Sequence, residues 1–163
     1  MSKRLEGRVA VVTGAGSGIG YAASVRLAAE GAKVVVVDTN EIAGNKVASE
    51  VGGIFVKADV TNEEQVANMY KVAFDTYNRI DIAFNNAGIS PPDDDSILIT
   101  GIDAWERVLR VNTTSVFLCC KAVLPYMQKN KKGSIINTAS FVATMGAATS
   151  QIAYTASKGG VLA

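Results

Sequence analysis

The chain has 163 residues, of which 48% are hydrophobic and 19% are charged. This composition predicts one folded domain with its own core and excludes a disordered chain. Because 16 Lys and Arg side chains nearly balance 15 Asp and Glu side chains, we expect no bulk attraction to nucleic acid or to an anionic membrane. No apolar run approaches the ~20 residues that cross a bilayer, and the N-terminus lacks the pattern of a signal peptide.

The chain contains no histidine, which excludes Ser-His-Asp and Cys-His nucleophiles and every His-ligated metal site. We expect no metal. Its two cysteines, Cys119 and Cys120, are neighbours in sequence and poorly placed to bond each other. This predicts no disulfide and a reducing, cytoplasmic location. Acid-base chemistry must therefore use Asp, Glu, Lys, Tyr or Cys side chains.

Short apolar, β-branched runs alternate along the chain with longer amphipathic segments. Continuous runs of this kind are typical of strands buried on both faces of a parallel sheet, with right-handed helical crossovers between them. We predict an α/β fold with a doubly wound parallel sheet of the Rossmann type, in a single domain over residues 1–163. The five predicted strands contain residues 9–12, 34–37, 54–56, 80–84 and 135–136.

Helical spacing of apolar residues marks the segments between the strands. One such stripe runs from Val66 to Tyr77 and includes Met69, Tyr70, Ala73 and Phe74. Thr61 and Glu64 stand at its start with the spacing of a capping box. A polar loop over residues 90–96 follows the fourth predicted strand. It lies at the edge where such folds bind ligands, although an ordinary connection is equally open.

The first predicted strand runs directly into a glycine-rich turn, with Gly14, Gly18 and Gly20 in the pattern G-x-x-x-G-x-G. A strand, a glycine turn and a helix start form a cradle for phosphate, because glycine allows close approach and the helix N-terminus offers free N–H groups. A tight turn without a ligand is the alternative. Asp38, at the end of the second predicted strand, stands where dinucleotide-binding folds place an acid for the adenosine ribose. The two features together favour a dinucleotide.

Four polar residues later in the chain are candidates for chemistry. Tyr154 and Lys158 are four residues apart, so a helix would place both on one face, and an ammonium lowers the pKa of a neighbouring phenol. Ser140 follows the fifth predicted strand and would face the ligand crevice, or it is a turn serine. Asn112 lies on an apolar stripe, where a structural amide that binds nearby backbone is the simpler interpretation.

Taken together, these motifs resemble the short-chain dehydrogenase/reductase family, in its compact branch. The similarity covers nearly the whole chain and keeps the family's order. The matching residues are Thr13-Gly14-x-x-x-Gly18-Ile19-Gly20, Asp59-Val60, Asn85-Asn86-Ala87-Gly88, Asn112, Ser140 and Tyr154-x-x-x-Lys158.

The resemblance implies an oxidoreductase that transfers a hydride between a nicotinamide cofactor and a carbonyl compound or secondary alcohol. Tyr154 would be the general acid/base, Lys158 would lower its pKa and bind the nicotinamide ribose, and Ser140 would orient the substrate oxygen. Asn112 would hold a water of the proton relay. The remaining cofactor contacts would come from the glycine turn (Gly14, Ser17, Gly18, Ile19, Gly20), from Asp59 and Val60 at the adenine, and from Asn86, Ala87 and Gly88 at the ribose.

Asp38 predicts NAD rather than NADP, because a carboxylate repels a 2′-phosphate and no cation stands beside it in sequence. Family members continue beyond the position of Ala163, so the resemblance implies that the sheet is incomplete at this end. An inactive fragment that binds cofactor or dimerises is one alternative. A relative of the sugar-nucleotide epimerases is another, against which the glycine spacing argues.

The resemblance also implies a homo-oligomer, a dimer or tetramer. The predicted contact is the helix that carries Val116, Cys120, Val123 and Met127, together with the Tyr154 helix. The alternative is that this stripe covers the protein's own sheet.

Overall fold

The computed structural model describes residues 3–146 and 149–163. Strands and helices alternate along the chain, as predicted. Their bounds are β1 Val9–Thr13, α1 Gly18–Ala29, β2 Lys33–Asp38, α2 Glu41–Val51, β3 Ile54–Lys57, α3 Glu63–Tyr77, β4 Ile82–Asn85, α4 Ile102–Leu109, α5 Ser115–Lys129, β5 Ser134–Asn137 and α6 Ile152–Leu162.

The five strands form one parallel sheet in the order β3-β2-β1-β4-β5. The chain builds outward from β1 to β3, then returns past β1 to place β4 and β5 on its other side. The predicted doubly wound Rossmann-type sheet is confirmed. The switch point of such a sheet lies between β1 and β4, and ligands bind there, at the carboxyl ends of the strands.

Alternate residues of the central strands enter two separate cores. Val11 and Val35 pack with residues of α3 and α5 on one face of the sheet. Val12, Val34 and Val36 pack with residues of α1 and α2 on the other face. Each strand position is buried because helices cover both faces, which explains the continuous β-branched runs.

The fifth strand departs from this prediction. Ile135 packs against the core, but Ile136 is 45% exposed. Within the described residues β5 pairs with β4 alone, and α1 and α2 lie over β1, β2 and β3 rather than over β5. The apolar run of β5 is thus not buried on both faces, whereas the expectation of an incomplete sheet agrees with β5 being the edge strand of the described residues.

Helix α3 begins differently from the predicted capping box. Its N-cap is Asn62, whose side chain accepts a hydrogen bond from the backbone N–H of Gln65 (3.0 Å). Thr61 instead donates its N–H to Asp59 Oδ1 (2.9 Å) and belongs to the preceding turn. Asn is at least as good an N-cap as Thr, so the prediction was wrong by one residue. The predicted apolar stripe is confirmed, with its first four residues buried.

A π-helical turn, Arg110–Thr114, joins α4 to α5 in one helix from Ile102 to Lys129. By length and composition alone this helix could cross a membrane. The apolar runs of the sequence did not indicate it. The helix packs against α3 and α6, and core helices of water-soluble folds satisfy the same criterion.

The stripe predicted as a dimer contact belongs largely to this protein's own core. Val123 and Met127 are buried against the sheet with α3, and Val116 and Cys120 are half-buried. The prediction was wrong for Val123 and Met127, because a helix packed on a sheet uses its apolar stripe there.

Candidate functional site

A cleft of about 530 Å³ lies at the carboxyl edge of the sheet, where the switch point predicts a ligand. Most of the predicted cofactor residues line it, namely Gly14, Ser17, Gly18, Ile19, Asp38, Asp59, Val60, Asn86, Ala87 and Gly88. Sequence reasoning missed Thr39, Ala58, Ile89 and Val111. Thr39, Ala58 and Ile89 are each next in sequence to a predicted cofactor residue, and this adjacency could have identified them. Val111 comes from the π-helical turn, and no local pattern indicates it.

The backbone of the glycine turn requires glycine at two positions in the cleft. Gly14 and Gly18 have φ values of +61° and +54°, in the left-handed region that side chains disfavour. A Cβ on Gly14 would also lie 3.0 Å from the Cα of Ala87. Gly20 differs, because its Cβ would collide with the carbonyl oxygen of Gly14 and Gly20 is absent from the cleft lining. Gly20 thus packs behind the turn, and its predicted cofactor contact stays a prediction.

The start of α1 is suited to an anion. Ser17 is the N-cap, but its side chain caps no N–H group, and the first turn carries no acidic residue. The helix dipole and the N–H groups of the first turn are therefore uncompensated by these side chains. Ile19 is 66% exposed at the same place. The turn fits the pyrophosphate of a dinucleotide.

Hydrogen bonds that the sequence did not predict join Thr13, where the glycine turn begins, to the residues that follow β4. Thr13 Oγ1 accepts the backbone N–H groups of Asn86 (3.0 Å) and Ala87 (3.1 Å). The Asn86 side chain donates back to the carbonyl oxygen of Thr13 (3.1 Å). Thr13 and Asn86 therefore hold the two walls of the cleft at a fixed separation.

Asp38 is half-buried at the end of β2, and both carboxylate oxygens accept backbone N–H groups. Gly16 donates to Oδ2 (2.8 Å) and Asn40 donates to Oδ1 (2.9 Å). A Cβ on Gly16 would lie 2.9 Å from Oδ2, so glycine is needed there too. The ion pairs formed in the described part of the chain do not include Asp38. Its charge remains available to hydroxyl donors in the cleft.

Tyr154 and Lys158 lie one turn apart on α6, and Lys158 Nζ is 5.6 Å from the centroid of the Tyr154 ring. Lys158 is only 3% exposed. Its ammonium donates to the carbonyl oxygen of Thr138, just beyond β5 (2.7 Å). Burial lowers the pKa of Lys158 from its ordinary value. Lys158 thus lies where β5 ends, and the pair shares one face of α6, as the spacing predicts.

Asn112 is fully buried in the π-helical turn, and its amide binds two other segments. Oδ1 accepts the N–H of Ile89 (2.7 Å), while Nδ2 donates to the carbonyl oxygen of Ile89 (2.9 Å) and to Ser157 Oγ (3.0 Å). These bonds confirm the structural interpretation of Asn112. Its role in holding a water stays a prediction.

Gly88 lies between the candidate catalytic residues and the cleft. A Cβ on Gly88, which lines the cleft, would lie 3.2 Å from Asn112 Oδ1 and 3.4 Å from Lys158 Nζ. Two polar side chains from different helices therefore approach the same point of the cleft wall. Glycine at this position leaves the space between them open.

Ser140 lies three residues beyond β5 in extended conformation and precedes a 3₁₀ turn, Phe141–Ala143. This turn packs against α6, so Ser140 is close to the Tyr154 helix in the fold. Residues 147 and 148, between Ser140 and Tyr154, lie outside the described residues.

Cys119 is buried in the core, and Cys120 beside it is half-buried. Both are free thiols, in keeping with the prediction of no disulfide. Burial raises the pKa of Cys119 to about 12, which keeps it protonated near neutral pH. Among residues 3–146 and 149–163, no group of three or more Cys, Asp or Glu side chains could hold a metal ion.

Comparison with known proteins decides the family. The sequence profile named "short chain dehydrogenase" matches residues 8–163. The chain belongs to the short-chain dehydrogenase family. Members of this family are oxidoreductases that bind a nicotinamide cofactor and act on small molecules. The resemblance found in the sequence is thus confirmed.

Two curated relatives and one solved structure are similar to nearly the whole of this chain. The chain is 41% identical to secoisolariciresinol dehydrogenase of Forsythia intermedia, over 99% of this chain and 59% of the relative. It is 42% identical to a 3-oxoacyl-[acyl-carrier-protein] reductase of Synechocystis sp., over 97% of this chain and 65% of the relative. A crystal structure of a Burkholderia xenovorans short-chain dehydrogenase/reductase superposes with a TM-score of 0.89 at 34% identity, covering 98% of this chain and 67% of that one. This short-chain dehydrogenase therefore spans less than two thirds of the length of these two curated relatives.

Proposed function

We propose that this short-chain dehydrogenase transfers a hydride between NAD and a small carbonyl compound or secondary alcohol, with Tyr154 as general acid/base. One observation carries the proposal. Lys158, one turn from Tyr154 on α6, and Asn112 both approach Gly88, which lies in the wall of the cleft. The proton-transfer residues thus border the place where a cofactor would lie.

The cleft fits a dinucleotide along its length. The start of α1 would hold the pyrophosphate, Asp38 the adenosine ribose, and Asp59 with Val60 the adenine. Gly88, beside Lys158, would lie toward the nicotinamide end. When bound, the nicotinamide supplies hydride exchange, and the protein supplies orientation and proton transfer.

The proposed proton transfer uses α6. Tyr154 Oη would give a proton to the substrate oxygen in reduction and take it in oxidation. The Lys158 ammonium, 5.6 Å from the ring centroid, would place a positive charge beside the phenol during proton transfer. Ser140, which follows β5 beside α6, would donate a hydrogen bond that orients the substrate oxygen.

We propose NAD rather than NADP because of the charge of Asp38. A 2′-phosphate carries close to two negative charges, and it would meet a carboxylate that is already hydrogen-bonded in place. Ribose hydroxyls could instead donate to the remaining lone pairs of the carboxylate. Thr39 and Ser17, which also line the cleft, provide no cation to neutralise the phosphate.

A homo-oligomer in the cytoplasm remains our proposal for the assembled enzyme. The outward face of α5 exposes Phe117 and Leu124, at 63% and 43%. Apolar side chains of this size are typical of contact surfaces, and they replace the buried Val123 and Met127 as the candidates. The inactive-fragment alternative is not favoured, because the segments that bear the catalytic residues pack together.

The direct test of the proposed function measures hydride transfer from a labelled alcohol to the cofactor. The purified protein is incubated with NAD⁺ and a panel of secondary alcohols that carry deuterium on the carbinol carbon. Mass spectrometry of the cofactor should show one transferred deuterium, and transfer to NADP⁺ under the same conditions should be at least about tenfold slower. Equal or faster transfer to NADP⁺ would contradict the cofactor assignment. Transfer that persists in Tyr154→Phe would contradict the role of the phenol.

A further inference from the structure

The first turn of α6 is held from outside the helix. A helix leaves its first N–H groups without partners inside the helix, and the N-cap side chain commonly satisfies one of them. Here the N-cap is Gln151, and its side chain makes no capping bond. Instead the N–H of Ile152 donates to the carbonyl oxygen of Asp95 (3.1 Å). The loop after β4 thus replaces the missing cap.

Asp94 makes the decisive contacts of this loop. Its side chain is 5% exposed, and its two carboxylate oxygens accept two consecutive N–H groups of α6. Oδ1 accepts from Ala153 (2.8 Å) and Oδ2 accepts from Tyr154 (2.7 Å). No ion pair of the described residues includes Asp94. Its charge faces the positive end of the helix dipole, which stabilises an anion.

Hydrogen bonds hold this loop near Asp94 and at its start, Ile89. The N–H of Asp95 donates to Thr100 Oγ1 (2.8 Å), and the N–H of Asp94 donates to the carbonyl oxygen of Pro91 (3.2 Å). Upstream, the chain leaves the cleft at Ile89. The side-chain amide of Asn112 forms hydrogen bonds with both the backbone N–H and the backbone C=O of Ile89. The loop is therefore a short, hydrogen-bonded connection from the cleft wall to the helix of Tyr154.

We propose that Asp94 is a positioning residue that sets the place of Tyr154 relative to Lys158 and the cleft. The bond from Oδ2 ends on the backbone nitrogen of Tyr154, one covalent bond from its Cα, so a shift of this nitrogen moves the whole side chain. Misplacement of a reacting group by about 1 Å costs up to about 10²-fold in rate. This inference rests on the proposed function of Tyr154 and goes beyond it by assigning the residue that holds it.

The first measurement does not depend on activity. Amide hydrogen exchange at Ala153 and Tyr154 is compared in the wild type, Asp94→Ala, Asp94→Asn and Asp93→Asn. Exchange should be at least about tenfold faster in Asp94→Ala and intermediate in Asp94→Asn, which keeps one acceptor oxygen. Asp93 is the matched control, an acid of the same loop that binds Arg107 and leaves α6 untouched. Unchanged exchange in Asp94→Ala would overturn the proposal.

The second measurement is deuterium transfer from the secondary-alcohol panel to NAD⁺, expressed as kcat per NAD-binding site. In Asp94→Ala we expect kcat to fall about 10- to 100-fold while the Kd for NAD stays within about twofold. Asp94→Asn should recover part of the loss, and Asp93→Asn should match the wild type. A purely structural role would lower the number of NAD-binding sites with kcat per site unchanged, and that result would overturn the proposal.

The two proposals fail in distinguishable ways. If Tyr154→Phe transfers deuterium at the wild-type rate, the proposed function is wrong. The exchange rates of Ala153 and Tyr154 then still decide whether Asp94 holds the turn. If Tyr154→Phe is inactive but Asp94→Ala keeps the wild-type kcat, the function stands and the positioning role is wrong.

Discussion

The two halves of the site are built in different ways. In the candidate cofactor half, the glycine turn and Asp38 come from one continuous unit, β1-α1-β2, and the Gly16 N–H joins them by donating to the Asp38 carboxylate. The rest of the cleft lining follows β3 and β4 or comes from the π-helical turn. The catalytic half gathers side chains from segments far apart in sequence. Asn112 lies in the π-helical turn, and Lys158 on α6 reaches back to Thr138 after β5.

This difference has an energetic consequence. We expect removal of one side chain from the candidate cofactor half to leave the central strands in place, because helices on both faces of the sheet bury them. The candidate catalytic half sits beside an edge strand that is largely exposed, and the packing of α6 on α4 together with buried side-chain hydrogen bonds holds its parts together. We therefore expect two kinds of substitution in this half. Some should lower activity without changing the stability of the fold, and others should lower the stability as well.

The largest effect is expected at the Tyr154 phenol. Tyr154→Phe should lower deuterium transfer to NAD⁺ by about 10²–10⁴-fold, the usual contribution of general acid-base catalysis. The ring remains, so the Kd for NAD should stay within about threefold. Tyr126→Phe is the matched control, since that ring packs against Phe74 and away from α6. A large loss of NAD affinity in Tyr154→Phe would show that the two halves are not separable.

Asn112 joins the halves, so its loss should affect folding. Asn112→Ala leaves the N–H and C=O of Ile89 without their side-chain partner, and each buried unsatisfied group costs about 1–3 kcal/mol. We expect the free energy of unfolding in urea to fall by about 3 kcal/mol. Asn130→Ala is the control, because Asn130 Nδ2 is buried with no hydrogen-bond partner in the described residues. It should change stability by less than about 1 kcal/mol. Equal effects would mean that the Asn112 bonds contribute nothing.

A smaller effect is expected at Asp38, on the cofactor side. Asp38→Asn keeps one acceptor oxygen but removes the charge, and should reduce the preference for NAD over NADP by about tenfold, as titration of both cofactors would show. Glu41→Gln, a nearby acid that pairs with Lys57, should leave the preference unchanged. An unchanged preference in Asp38→Asn would place cofactor selection elsewhere in the cleft.

The smallest effect is a pH dependence carried by Lys158. Burial lowers its pKa in the folded state, so between that pKa and the unfolded value of about 10.4 the unfolded chain binds the proton more tightly. The free energy of unfolding contributed by this group must then rise with pH. In urea titrations, the stability of the wild type relative to Lys158→Met should therefore increase between pH 7 and 10. A decrease would mean that the ammonium is stabilised in the fold.

How much the sequence predicts depends on the range of the interactions involved. All five strands, the glycine turn and the face shared by Tyr154 and Lys158 were predictable, because hydrophobic periodicity and backbone preferences act between near neighbours in sequence. The cleft-lining residues that follow strand ends were also predictable. The carboxyl ends of parallel strands meet at one edge.

The tertiary structure decided whatever depends on which distant segments lie side by side. The exposure of Ile136 depends on β5 being the edge strand, and the burial of Val123 depends on α5 packing on the sheet. Val111 enters the cleft from a helix that begins after β4, and Asp94 reaches α6 across 59 positions of sequence. No local pattern encodes such contacts, because they arise only when the order of the strands brings the segments together.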